Sequence, residues 1–235
     1  MCKILFNEEG DFHSGALILV DKPLKWTSFD VVNKIRWCLR KKYGKLKVGH
    51  AGTLDPLATG LVIICIGKWT KEIERYMGQQ KEYLARICLG ATTPSFDLET
   101  EINANYPWEH ITRESFEKVL LQFVGEIQQI PPVYSAVRID GVRAYEKARK
   151  GKGPEMLPRE VYIKEIEVVN FELPYVELRI VCGKGTYIRS LAHDIGKACG
   201  SGGYLSDLRR TRIGEFQVEK ANKMEDLIAF LQEKA

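Results

Sequence analysis

The chain has 235 residues, enough for one large domain or a domain with an appendage. Its hydrophobic content of 45% and charged content of 28% are those of a soluble globular protein, and its longest apolar runs, Ala16 to Val20 and Leu61 to Ile66, are far too short for a membrane-spanning helix. Net charge is only +4, and the acidic start (Glu8, Glu9, Asp11) lacks the apolar core of a signal peptide, so a cytoplasmic location is expected.

Along the chain, "GALILV" reads as a strand ended by Asp21-Lys22-Pro23. "TSFDVVNKIRWCLRKK" predicts a helix capped by Thr27 or Ser28, with residues 31, 32, 35, 38 and 39 on its apolar face and a basic C-terminal end that suits the helix dipole. "GHAGTLDPLATG" follows as a loop, and "LVIICIG" as a buried strand. "YLARICLG" is another strand, and "TRESFEKVLLQFVG" a second amphipathic helix stopped by Gly125. Residues 126–153 combine Pro-Pro, an Asp-Gly turn and a strongly basic short helix, which predicts an excursion from the core. "EVYIKEIEVVNFEL" and "YVELRIVCG" are strands, and a Gly-Lys-Gly-Thr turn opens the helix "YIRSLAHDIGKACG". Strands outnumber helices without alternating regularly, so the expected fold is α+β, a mixed and largely antiparallel sheet flanked by helices.

The six cysteines are scattered, with no CxxC pair and no zinc spacing, and read as reduced structural thiols. Charge is segregated instead. Arg40, Lys41, Lys42, Lys45 and Lys47 crowd around Tyr43. Arg138, Arg143, Lys147, Arg149, Lys150 and Lys152 form a second basic cluster, and Arg209, Arg210 and Arg212 a third. Acids gather elsewhere, at Asp97, Glu99 and Glu101 among others. Such patches suit a polyanion partner, though solvated surface gives the same pattern.

Two short constellations carry possible chemistry. Asp55 lies among Gly49, Ala51, Gly52 and Ala58, a carboxylate in a loop whose small residues leave room for a large ligand; Asp-Pro also opens helices, with Gly60 then closing one short turn. His50 is either a polar loop residue or a group that stacks on or hydrogen-bonds a ligand, since no second histidine stands near for a metal. In "CGKGTYIRS" two glycines precede a helix that begins near Tyr187 and Arg189; the segment is not a Walker A sequence, and an arginine there can hold a carboxylate ionised or simply lie on the surface. Tyr83 opens a strand, where edge packing is the plain reading.

Taken together, the ordered set "GALILVDKPLKWTS", "GHAGTLDPLATG", "KEYLARICLG", "IPPVYSAVRIDGVRAYEKARKG", "CGKGTYIRSLAHDIG" and "GGYLSDLRRTRIGEF", covering residues 14–216, resembles the bacterial TruB-type tRNA pseudouridine synthases. The resemblance implies Asp55 as the catalytic aspartate, Tyr83 stacking on the target base, and Arg189 beside Tyr187 pairing with the catalytic carboxylate. It also implies that His50 accommodates the everted nucleotide, Leu208 lines the uridine pocket, and residues 126–153 pack on the RNA loop. The substrate it implies is uridine-55 in the T-loop (T-arm) of tRNA. Neither metal nor cofactor is expected, since the isomerisation consumes no electron, phosphate or water, and no motif for one is present. Longer family members carry a C-terminal RNA-binding PUA domain; here 19 residues follow Phe216, read as one helix over 217–235, so a single catalytic domain without PUA, guide RNA or obligatory protein partner, and a monomer, is expected. A non-catalytic tRNA-binding chaperone on the same scaffold is the alternative, using the basic patches and Tyr83 but not Asp55.

Overall fold

The computed structural model describes residues 3–6, 11–135, 138–139, 141–148 and 153–234. It divides into two compact units, one made of Met1–Tyr83 with Leu208–Ala235, the other of Leu84–Asp207. In chain order the main strands are β1 (Ile4–Phe6), β2 (Ala16–Lys22), β3 (Val48–His50), β4 (Thr59–Ile66), β5 (Lys81–Leu89), β6 (Gly125–Gln129), β7 (Arg159–Glu172), β8 (Tyr175–Cys182), β9 (Gly203–Ile213), β10 (Phe216–Gln217) and β11 (Asn222–Lys223). The helices are α1 (Ser28–Tyr43), α2 (Ile73–Met77), α3 (Arg113–Leu120), α4 (Ala144–Ala148), α5 (Ile188–Ala198) and α6 (Met224–Lys234). The chain passes from one unit to the other within β5 and within β9.

In the first unit β2 pairs antiparallel with β1 and β4, and β3 pairs antiparallel with β4, His50 opposite Ile64. Two pairings are parallel: β4 with the C-terminal half of β9 (Thr59 opposite Arg209), and β2 with β11. Leu17, Leu19, Leu61, Ile63 and Cys65 form a core on one face with Ile213 and Val218, covered by Trp69, Ile73 and Phe216. The intervening Ile18, Val20, Val62 and Ile64 are buried too, because α6 packs on β2 and α1. That two-sided burial is why these strands read as continuous apolar runs. On α1 the five expected inward positions, Val31, Val32, Ile35, Cys38 and Leu39, are all buried, and Thr27 closes a capping box with Asp30.

In the second unit β7 lies between β6 and β8, both antiparallel to it, and β8 neighbours β5. Phe116 of α3 packs on Phe171 of β7 with ring centroids 5.6 Å apart. Helix α5 lies directly on the start of β9: a Cβ on Gly196 would come within 2.3 Å of the Gly203 nitrogen. Only a glycine permits that approach.

The pairings give the expected α+β class, with a mixed and mostly antiparallel sheet. Several local expectations differ. The C-terminal helix spans Met224–Lys234 rather than 217–235, because residues 216–223 instead form β10, a 3-10 turn and β11. Buried Asn222 holds that stretch: its amide donates to the Lys3 and Leu19 carbonyls and accepts from the Lys3 N–H. The excursion begins later than residue 126, since Gly125–Gln129 is the strand β6 paired with β7. Tyr83 stands on an inner strand, with β5 flanked on both sides, so edge packing is not its setting. Cys38, Cys65, Cys88, Cys182 and Cys199 form no disulfide, and the first four are buried.

Candidate active site

Asp55 sits in a tight turn, not at a helix start. The Ala58 N–H donates to the Asp55 carbonyl at 3.1 Å, and Pro56 takes the second turn position, where its fixed φ fits and its missing N–H leaves nothing unpaired. The chain then enters β4 at Thr59. Gly60 closes no helix; it has φ +106°, and a Cβ there would lie 2.3 Å from the Arg210 carbonyl oxygen. The glycine thus lets β9 approach β4 beside the turn.

Three buried side chains from separate elements anchor this turn. Ser28, at the start of α1, accepts from the Leu54 N–H at 2.8 Å and donates to the Leu54 carbonyl at 3.1 Å. Lys22, at the end of β2 and 0% exposed, donates to the carbonyls of Pro23, Trp26 and Pro56. Arg210, 1% exposed on β9, donates to the carbonyls of Leu61 at 2.7 Å, Gly52 at 3.2 Å and Thr53 at 3.3 Å. A guanidinium held by three backbone oxygens is a fixed brace. Burial pushes the Lys22 ammonium down to about 8; the Asp55 carboxylate opposes that shift and Arg210 adds to it. The half-buried Asp55 carboxylate thus belongs to a rigid turn electrostatically coupled to a buried ammonium.

His50 lies at the end of β3, half-buried, and its Nδ1 is buried with no hydrogen-bond partner among the described residues. Burial lowers its pKa, and the Arg210 charge lowers it further, so the ring is neutral near pH 7. Such a ring can stack or hydrogen-bond without adding charge. Tyr83 and Leu208 are buried, 8% and 6% exposed, on β5 and β9. Asp55, His50, Tyr83 and Leu208 belong to the first unit, whereas Tyr187 and Arg189 belong to the second.

In the second unit Tyr187 is the N-cap residue of α5. The buried Gln129 amide clamps its backbone from both sides, accepting from the Tyr187 N–H at 2.7 Å and donating to its carbonyl at 3.0 Å. Ser190 donates to the Ile130 carbonyl at 2.7 Å. Arg189 is 4% exposed; it donates to the carbonyls of Tyr134 and Ser95, and its Nε lies 3.5 Å from the Asp97 carboxylate. Asp97, 6% exposed, also accepts from the Glu99 N–H at 2.9 Å, and the Thr93 and Ser95 hydroxyls bond its carbonyl. Arg189 is therefore held by an acid that sequence reasoning grouped with surface charge. The one local signal for Asp97 is its place just after Thr93 and Ser95.

The basic clusters fare differently. Arg40, Lys41, Lys42, Lys45 and Lys47 are all exposed. Arg36, Lys45 and Lys47 line a cleft of about 410 Å³ together with Gly49, Thr70 and Ile73. The arginines of β9 form no such patch. Arg209 makes a two-pronged pair with Asp21 at 2.7 and 3.0 Å, Arg210 is buried, and Arg212 lies 3.3 Å from Glu82. Arg149, Lys150 and Lys152 of the second basic cluster lie outside the described residues. Among the described residues no group of His, Cys, Asp and Glu is arranged to hold a metal ion.

Comparison with known proteins places this geometry in a family. Residues 40–188 match the TruB family pseudouridylate synthase N-terminal domain, and residues 189–235 the tRNA pseudouridylate synthase B C-terminal domain. The tRNA pseudouridine synthase B of Parabacteroides distasonis is 55% identical over 95% of this chain and 96% of its own. That of Bacteroides fragilis is 57% identical over 89% of this chain and 91% of its own. Among solved structures, a Cbf5-Nop10-Gar1 complex aligns with TM-score 0.72 and 31% identity, covering 94% of this chain. An H/ACA RNP bound to a substrate RNA containing 2′-deoxyuridine aligns with TM-score 0.69 and 29% identity over 95%. The chain spans 56% of each of those two solved chains. It belongs to the TruB family of pseudouridylate synthases.

Proposed function

We propose that this protein isomerises uridine-55 in the T-loop of tRNA to pseudouridine, with Asp55 as the catalytic carboxylate. The observation that carries the reading is the Asp55 turn: a half-buried carboxylate on a backbone braced by Ser28, Lys22 and Arg210, inside the GHAGTLDPLATG motif. The reaction breaks the N1–C1′ bond of uridine, rotates the base and joins C5 to C1′; the C5 proton leaves and N1 ends protonated. It needs a carboxylate fixed close to the sugar and base, and shelter for the detached uracil. Bracing supplies the first requirement, because a turn that cannot drift holds the reacting oxygen in place.

The other residues take supporting roles in this reading. Tyr83 gives the extruded base an aromatic face, which is worth about 1–3 kcal/mol per stacked base and offsets part of the cost of unstacking. Leu208 adds an apolar wall. The neutral His50 contacts the everted nucleotide. Arg189 and Tyr187 act at the α5 start, with Asp97 as the acid that positions the arginine. Exposed Lys41, Lys42, Lys45 and Lys47 meet phosphates. The enzyme works as a monomer, in the cytoplasm, without guide RNA or protein partner.

The test is tritium release from unmodified tRNA labelled at C5 of uridine, with wild type beside Asp55→Asn. Release confined to the wild type, with equal tRNA affinity in both, is the expected result. Turnover retained by Asp55→Asn ends the assignment of the aspartate. Tight binding without release by the wild type makes the protein an RNA-binding chaperone instead.

A further inference from the structure

Helix α1 buries one face in the first unit, and its outer face is unusual for a surface helix. Phe29 is 59% exposed and Trp37 is 61% exposed. Lys25, Trp26, Asp30, Asn33, Lys34 and Trp37 line an open groove of about 460 Å³. Lys34 sits with its ammonium 4.9 Å from the Trp37 ring centroid. Arg40 and Lys41 continue the same side of the helix, both exposed. The one acid of the groove, Asp30, is engaged by the Thr27 N–H and hydroxyl in the capping box.

Exposed aromatic faces set between cations are what an unpaired nucleotide uses: the base stacks, and the phosphates meet the ammonium groups. The groove is also tied to the Asp55 turn, since the Lys25 N–H donates to the Pro56 carbonyl at 2.8 Å. Trp37 lies nine helical positions beyond Ser28, about 14 Å further along the axis. RNA seated at Asp55 therefore meets Lys25 first, and Trp37 only further along the helix.

We propose that the outer face of α1 is a second RNA-contact surface, where a nucleotide of the tRNA outside the target stem-loop stacks on Trp37 while its phosphates pair with Lys25 and Lys34. This rests on the reading of the protein as a tRNA-modifying enzyme.

The test compares two substrates, full-length unmodified tRNA and the isolated T-arm stem-loop, for wild type, Trp37→Ala and the double variant Lys25→Ala with Lys34→Ala. All three positions are at the surface, on or beside a well-capped helix, and circular dichroism melting checks that the variants fold. Trp37→Ala is expected to raise KM for the full tRNA roughly tenfold, as expected for one base left unstacked, and to leave KM for the stem-loop within about twofold. The double variant is expected to flatten the salt dependence of full-tRNA binding by roughly one in the log–log slope for each phosphate that no longer meets an ammonium group. Equal KM values for full tRNA in wild type and Trp37→Ala overturn the surface while leaving the enzyme reading intact. Failure of the wild type to act on either RNA overturns the enzyme reading itself.

Discussion

Replacing Ser28 with alanine tests the bracing of the Asp55 turn. Ser28 is 2% exposed, and its hydroxyl serves both backbone groups of Leu54, itself 3% exposed, immediately before Asp55. Alanine offers neither a donor nor an acceptor, and such burial keeps water from replacing them. An unsatisfied buried polar group costs about 1–3 kcal/mol, so the pair loses roughly 2–5 kcal/mol once partial relaxation is allowed. For a chain of this size each kcal/mol lowers Tm by about 2–4 °C, which predicts a drop of roughly 4–20 °C. The turn relaxes by moving, and a displacement of about 1 Å at a reacting group costs on the order of 100-fold in rate. Ser28→Ala should therefore lose stability and single-turnover rate together in thermal melts and C5 tritium release, while Ser28→Thr, which keeps the hydroxyl, recovers much of the rate. A Ser28→Ala protein that melts with the wild type and turns over within about threefold of it would show that other groups hold Asp55, and the reasoning would fail.

Two further expectations concern buried charges. Asp97→Asn takes a carboxylate from beside the buried Arg189 guanidinium, and removing one partner of a buried ion pair costs about 3–5 kcal/mol, so urea denaturation should show a lowered midpoint and tritium release a lowered kcat; an unchanged midpoint would mean the pair is not structural. Lys22 has its pKa lowered from 10.5 to about 8 on folding, so between those pH values the unfolded chain holds more protons and stability rises with pH, by up to about 1.4 kcal/mol per pH unit. That component is absent from Lys22→Met, and identical pH slopes for the two proteins between pH 8 and 10 would refute it. Below pH 8 both states of the wild type carry the charge and the folding penalty is constant.

What the sequence made legible was whatever depends on neighbours in the chain. The inward face of α1 follows from helical spacing, and the buried strands β2 and β4 from unbroken apolar runs. The Asp55 turn was visible as a motif, yet its brace was not. Arg210 resembles a surface charge beside Arg209 and Arg212 until its carbonyl partners arrive from Gly52, 158 residues away. The arginines also hid β9, because a strand with three cations in its second half does not read as interior. Lys22 looked like the end of a strand, and only the return of Pro56 over it makes it a buried ammonium. Asp97 is chosen among neighbouring acids by Arg189, which local pattern cannot reveal. The short β3 exists only because β4 lies beside it.

The discontinuity of the first unit has a temporal side. Its early portion ends at Tyr83 and its late portion starts at Leu208, so a chain emerging from the ribosome has all of residues 84–207 before the first unit can close. Until Arg210 appears, β4 lacks its parallel partner and the Gly52 and Thr53 carbonyls lack their guanidinium. Closing so long a loop is slow, because its entropy is given up before the new pairings form. The Asp55 turn thus sets only after the late portion of the first unit has arrived. A nascent chain that stops short of Arg210 carries the GHAGTLDPLATG motif but not its brace.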